Sequence, residues 1–311
     1  MIRVDLITGF LGSGKTTFLK KYAEYLINQG NRICILENDF GAVNVDMLMM
    51  QELLGDSCDL EMVAGACDQD CHKRRFKTKL ISMGMRGFDR VLIEPSGIFD
   101  VDEFFDTLRE EPLENWYEIG NVIAIVDAGL EQELSEEAEF LLASQVANAG
   151  QVILSKVQKA SEQEIAGTIT HLNEAMEKVH CSRRFDGNVV RKDWTQFRNH
   201  DFEELLGCGY VSASYQKRWL EHQKAFDSLY FFHLKMPKET FCLKIEQLMH
   251  DRECGKIFRV KGFLPVKDGE WLEVNATRES TSVKNVEKGQ EVIIVIGEKM
   301  CEERIHGILE S

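Results

Sequence analysis

Residues Gly9-Phe10-Leu11-Gly12-Ser13-Gly14-Lys15-Thr16 fit the spacing G-x-x-x-x-G-K-[ST], between a short apolar run and a helical stretch. Glycines at these positions let the backbone turn so that successive N–H groups point at a phosphate chain, and a helix opening near Gly14 adds the positive end of its dipole. Lys15 supplies a point charge that would stabilise a transferring phosphoryl group, and the Thr16 hydroxyl would ligate Mg²⁺. Two carboxylate segments follow at the ends of further apolar runs, Glu37-Asn38-Asp39-Phe40-Gly41 and Glu94-Pro95-Ser96-Gly97. Open α/β sheets keep their chemistry at such strand ends. Glu94 would order the Mg²⁺ shell as a Walker-B-like acid, Gly97 could approach a γ-phosphate, and Asp39 would position water or sense that phosphate. The plainer alternative makes Asp39 or Glu94 a helix cap or a solvated loop charge.

These residues need a scaffold, and the chain alternates short β-rich runs with helical periodicity, the pattern of a parallel sheet covered on both faces. Strands are expected at 3–8, 32–37, 58–63, 90–94, 121–127, 151–154 and 210–212, mostly apolar at every position, as strands buried on both faces are. Helices are expected at 15–29, 71–83, 101–109, 131–147 and 161–179. After residue 214 the rhythm changes. A helix-compatible piece (216–226) leads into strands at 229–235, 256–265, 271–276 and 291–296 and helices at 238–250 and 301–309, which predicts a small α+β domain with an antiparallel sheet. The expected organisation is α/β: a doubly wound, mostly parallel P-loop domain over 1–220, then a smaller α+β domain over 221–311.

Composition limits the function. The chain has 311 residues, 44% hydrophobic and 29% charged, ordinary values for a folded protein at ~150 residues per domain. A net charge of −15 disfavours nucleic acid as the partner. No apolar run approaches the ~20 residues of a membrane helix, and Asp5 stands where a signal peptide needs apolar residues, so a cytoplasmic protein is expected. Nine cysteines, an odd number, read as reduced thiols and not as a disulfide framework.

Taken together, the loop from Gly9 through Thr17, the segment Asn38 to Asp46, Glu94 to Gly97, the run ending in Asp127, and Arg259 to Phe263, Trp271 and Val292 to Gly297 resemble the CobW/HypB/UreG P-loop GTPase family, in its CobW-like (cobalamin-synthesis-protein) branch. The resemblance implies a GTP/GDP- and Mg²⁺-binding hydrolase of slow turnover, acting as a metallochaperone or maturation factor for a metal centre or metallocofactor. It further implies a client metalloprotein or cofactor protein as partner, and pairing into a homodimer. The base-reading motif, N-K-x-D in the family, stands here as Ser155-Lys156-Val157-Gln158; Lys156 keeps the stem that packs on a base, while Gln158 offers a neutral carbonyl where an acid would accept from guanine. Ser212-Ala213 looks like the last base-contacting motif.

Two further departures concern metal. The family's C-x-C-C is here Gly65-Ala66-Cys67-Asp68-Gln69-Asp70-Cys71-His72; on a helix Cys67 and Cys71 would face one way, and with His72 they could hold Zn²⁺ or another transition ion, or be plain packing thiols. The family's Asn-Glu-Phe-Gly-Glu is Asn38-Asp39-Phe40-Gly41-Ala42, which points to a divergent cargo, for instance a corrinoid-linked one. The basic run Lys73 to Lys79 reads first as a solvated helix face and second as a docking site for an acidic client or anionic cofactor tail. Asp127 and the scattered histidines from His171 to His306 read as structural or surface residues. Two rival functions stand beside the GTPase: an ATP-dependent activator or reactivator of a cofactor protein, favoured by Gln158, and a metal-free nucleotide-gated docking module.

Overall fold

The computed structural model describes every residue except 39–49, 64–68, 217–225, 267–269, 279 and 311. The chain divides into two compact units, Met1–Leu220 and Glu221–Ser311. In the first, the elements run β1 (Ile2–Thr8), α1 (Lys15–Asn28), β2 (Ile33–Asn38), β3 (Cys58–Val63), α2 (Gln69–Gly84), β4 (Arg90–Pro95), α3 (Val101–Leu108), β5 (Tyr117–Asp127), α4 (Glu136–Ala147), β6 (Gln151–Ser155), α5 (Glu162–Lys178), β7 (Val189–Val190) and α6 (Asn199–Leu206). The strands form one seven-stranded sheet in the order β3-β2-β4-β1-β5-β6-β7, parallel throughout. Strands β2 and β4 are buried at every position because helices cover both faces. Phe76, Phe104, Leu142 and Leu172 pack one core; Phe18, Leu19, Tyr22 and Phe202 pack the other.

The helices begin where their side chains can satisfy open N–H groups. Asp100 caps α3 through Asp102 N–H at 3.1 Å, and Ser161 with Glu164 forms a capping box at α5. The helix expected from residue 131 starts at Glu136, because the Ser135 hydroxyl caps it through Ala138 N–H at 3.1 Å. A second difference bears on the site. The expected strand at 210–212 is absent; Tyr210 makes a single antiparallel bridge to Ala149, and the seventh strand is the two-residue β7. So short an edge strand has no apolar run to announce it.

The second unit holds β8 (Asp227–Phe231), α7 (Lys238–His250), β9 (Lys256–Pro265), β10 (Trp271–Ala276), β11 (Thr281–Val286), β12 (Val292–Glu298) and α8 (Glu302–Leu309). Its five strands pair antiparallel in the order β11-β10-β9-β12-β8. Phe241, Ile245, Leu248 and Ile305 of the helices pack with Leu272, Val274, Ile293 and Val295 of the sheet. The expected helix at 216–226 lies almost wholly outside the described residues. No helix among the described residues is long and apolar enough to cross a membrane, and no disulfide joins the cysteines described.

Candidate functional site

The loop between β1 and α1 is forced tight by its neighbours. Gly9 has φ +141°, and a Cβ there would stand 2.1 Å from the Ile125 carbonyl oxygen of β5, so only glycine fits. Gly12, Ser13 and Gly14 complete the turn, and Lys15, Thr16 and Thr17 open α1. Lys15 is buried, with Nζ 3.3 Å from the Phe10 carbonyl oxygen across the loop. Thr17 faces solvent.

Sheet order brings the acids in. β4 is the neighbour of β1, so Glu94, 78 residues from Thr16 in the chain, ends beside the loop, and Thr16 Oγ1 donates to Glu94 Oε1 at 2.7 Å. β2 lies on the other side of β4, and its Glu37 stands in register with Glu94. Residues in register on parallel strands share a face of the sheet. Both glutamates are buried, at 4% and 5% exposure. One hydroxyl and two buried carboxylates form a set of hard oxygen donors at the mouth of a phosphate loop, which fits Mg²⁺. Ser13 Oγ, Thr8 Oγ1, Ser155 Oγ and both polar side-chain atoms of Asn38 are buried with no hydrogen-bond partner among the described residues. Buried polar groups are ordinarily satisfied, and a ligand rich in acceptors and donors would satisfy these.

Gly97 follows β4 and is pressed on the loop: a Cβ there would stand 2.6 Å from Leu11 N. The peptide is also held from behind, since Gln145 Nε2 of α4, fully buried, donates to the Gly97 carbonyl at 2.9 Å. On the base side, Ser155 ends β6 next to Gly14. The Lys156 ammonium is ion-paired with Asp127 at the end of β5, so both residues are occupied with each other. Gln158 lies exposed in the turn that follows. Ser212 is exposed, and Ala213 is half-buried with its N–H 3.2 Å from Asn148 Oδ1.

Asp39 and Cys67 lie outside the described residues. Cys71 is half-buried on α2. Its neighbour His72 is completely buried, with Nδ1 3.8 Å from Glu103 Oε1 of α3. Among the described residues, no three His, Cys, Asp or Glu side chains are grouped to hold a metal ion.

Sequence reasoning missed two contributors. Glu37 was legible as a strand-end acid, but its place beside Glu94 depends on β2–β4 pairing. Trp194, in the 3₁₀ turn after β7, packs edge-to-face on Phe18 at 5.7 Å, and its ring lies 3.2 Å from where a Cβ on Gly14 would stand. Placing the seventh strand at 210–212 hides that loop.

A phosphate loop after β1, an acid at the end of the adjoining β4 and a parallel sheet of this order define the P-loop nucleotide-binding fold. The chain belongs to the CobW/HypB/UreG family, whose nucleotide-binding domain matches residues 3–185. It is similar to zinc chaperone YjiA of Escherichia coli (strain K12), 33% identical over 191 residues, which are 58% of this chain and 55% of that protein. The chain thus spans just over half the length of that relative. Zinc chaperone YeiR of the same organism is 28% identical over 233 residues, 70% of each chain. Zinc-regulated GTPase metalloprotein activator 1 of Schizosaccharomyces pombe (strain 972 / ATCC 24843) is 22% identical over 315 residues, covering 89% of this chain and 75% of that protein.

Proposed function

We propose that this protein is a GTP-hydrolysing metallochaperone: it binds GTP with Mg²⁺ in the loop Gly9–Thr16 and couples nucleotide state to transfer of a metal ion, zinc first, to a client protein. The observation that carries the reading is the Thr16–Glu94 hydrogen bond with Glu37 in register beside it. Bound Mg²⁺ would supply charge neutralisation between phosphate oxygens. Thr16 would hold it, Glu94 would order its shell, and Lys15 would leave the Phe10 carbonyl for the phosphates. Gly97, clamped between Leu11 and Gln145, would report the γ-phosphate through its N–H. Slow turnover until a partner docks belongs to this reading, since a switch needs bistable loops more than speed. The family and the names of the relatives support zinc as cargo over a corrinoid-linked one.

A second reading, adenine in place of guanine, is favoured by one observation: the position that would accept from both guanine N–H donors is Gln158, neutral and exposed. Titration calorimetry with GTP, GDP, ATP and ADP in the presence of Mg²⁺ separates the two. The expected result is a guanine preference of roughly tenfold or more, about 1.4 kcal/mol, with all binding lost in Lys15→Ala. An adenine preference moves the protein to ATP-dependent reactivation, and no nucleotide binding overturns both readings.

A further inference from the structure

In the second unit β9 and β12 pair antiparallel as far as Lys256 opposite Glu298, and the chain beyond those two residues keeps the same course. Gly255, at φ +90°, is pressed on the exit from β12: a Cβ there would stand 2.4 Å from the Lys299 carbonyl oxygen. Further along, the Cys301 N–H donates to the Cys254 carbonyl at 3.1 Å. Cys254 closes the 3₁₀ turn Arg252–Cys254, and Cys301 stands at the cap position of α8 without its side chain bonding that helix. A hydrogen-bonded antiparallel pair holds its Cα atoms about 5.5 Å apart, inside the ~4.4–6.8 Å that a disulfide spans.

The two thiols differ in access. Among the described cysteines Cys301 alone is exposed, so a small oxidant in solution meets it first, whereas Cys254 is completely buried. Burial, with the Asp251 charge beside it, holds the Cys254 thiol above its usual range, and the nearby Cys301 sulfur pushes the same way. Arg304, which hydrogen-bonds the Cys254 thiol, acts against them. That guanidinium is itself anchored, 2.8 Å from Asp251 and 3.4 Å from Glu253. Among the described residues no three His, Cys, Asp or Glu side chains are grouped to hold a metal ion, and two thiols without further ligands make no tetrahedral zinc site. What the pair itself can do is thiol redox chemistry.

We propose that Cys254 and Cys301 form a site of reversible oxidation, at which hydrogen peroxide oxidises the exposed Cys301 sulfur and Cys254 closes it into an intramolecular disulfide. In the first step the Cys301 sulfur takes one peroxide oxygen, the O–O bond breaks, and water leaves behind a sulfenic acid. In the second the Cys254 sulfur attacks that sulfur, the S–S bond forms, the S–O bond breaks, and a second water leaves. Two electrons and two protons pass from the thiols to the peroxide, and a dithiol reductant reverses the change by exchange. The Arg304 guanidinium stabilises the charge that builds on the Cys254 sulfur as its proton departs. The new bond fastens the start of α8 to the turn ahead of β9. The inference concerns the second unit alone and does not rest on the proposed function.

The test treats the reduced full chain with hydrogen peroxide, blocks remaining thiols with N-ethylmaleimide, and maps tryptic peptides by mass spectrometry without reduction. The expected product joins the peptide Glu253–Lys256 to Met300–Arg304, with two thiols lost per chain and both recovered after dithiothreitol. C301S is expected to abolish the joined pair. In C254S, its fold verified by circular dichroism, Cys301 is expected to stop at the sulfenic acid and take up dimedone. C301S, at an exposed position, carries the test by itself if C254S does not fold. No joined pair after peroxide, Cys301 linked to a different cysteine or to a second chain, or thiol loss unchanged in C301S overturns the proposal.

Discussion

Thr16 reaches Glu94, and Glu37 stands in register beside Glu94, because each is placed by a rigid strand or helix end. Gln145 works at the same scale. Its amide is completely buried and donates to the Gly97 carbonyl, while the Cα of Gly97 is pressed close to Leu11. Gln145→Leu removes the donor while keeping the volume, leaving a buried carbonyl unsatisfied, at about 1–3 kcal/mol. The urea midpoint is expected to fall accordingly. Calorimetry is expected to show GTP affinity reduced with GDP affinity unchanged, because in the proposed binding mode only a γ-phosphate would reach Gly97; equal loss of both would assign Gln145 to general stability.

At the scale of elements, β1, β4, β5 and α1 are tied by one buried polar network. Asp5, with no exposure, is ion-paired to Arg90 of β4, accepts from Tyr22 of α1 at 2.8 Å and from the Asn121 N–H of β5 at 2.8 Å. Asn121 in turn donates to Tyr22 at 3.2 Å and accepts from Gly209 N–H at 2.9 Å. Burial, with the Asp5 charge beside it, holds the Tyr22 phenol well above its usual range. The network keeps β1 in register with both neighbours, and so keeps the phosphate loop above Glu94. Asp5→Ala strands the Arg90 guanidinium in the interior, and a loss of about 3–5 kcal/mol is expected in urea unfolding. Asp5→Asn keeps one accepting oxygen and puts an NH2 group where the other accepted, so it retains part of the network and is expected to cost less than Asp5→Ala.

For the whole molecule, acid is the expected weak direction. Burial pushes the Glu139 carboxyl up, but hydrogen bonds from His171 at 2.8 Å and Lys178 at 3.0 Å prevail and hold it below the ordinary range. Lys77 and Lys73 hold Glu110 down likewise. A carboxylate depressed in the folded state contributes stability that is complete above its unfolded pKa, ~4.3, and is lost as pH falls through the lower folded value. The thermal midpoint is therefore expected to hold from neutral pH to about 5 and to decline below ~4.3. Glu139→Gln is expected to lower the neutral plateau and flatten that decline; an unchanged acid slope would remove Glu139 as a source of it.

What neighbouring residues decide was legible beforehand. The phosphate loop is one turn whose glycines and lysine are adjacent in the chain, and the long apolar strands and the strand of Lys256–Pro265 announce themselves by composition. Edge elements did not: β7 has two residues, and β11 reads Thr-Ser-Val-Lys-Asn-Val, four of its six residues polar and none of them buried. Base-side residues suffered from this, since the loop carrying Trp194 follows β7. Nor could chain order say that Lys156 would be taken by Asp127, that His72 would be buried against Glu103, that Lys73 and Lys77 would both turn to Glu110, or that Cys301 would meet Cys254. The type of each residue, and the chemistry it could do, belongs to the sequence. Which residues meet was decided by the strand order β3-β2-β4-β1-β5-β6-β7, because long-range pairing is chosen by burial of both sheet faces together, a property no local stretch of chain contains.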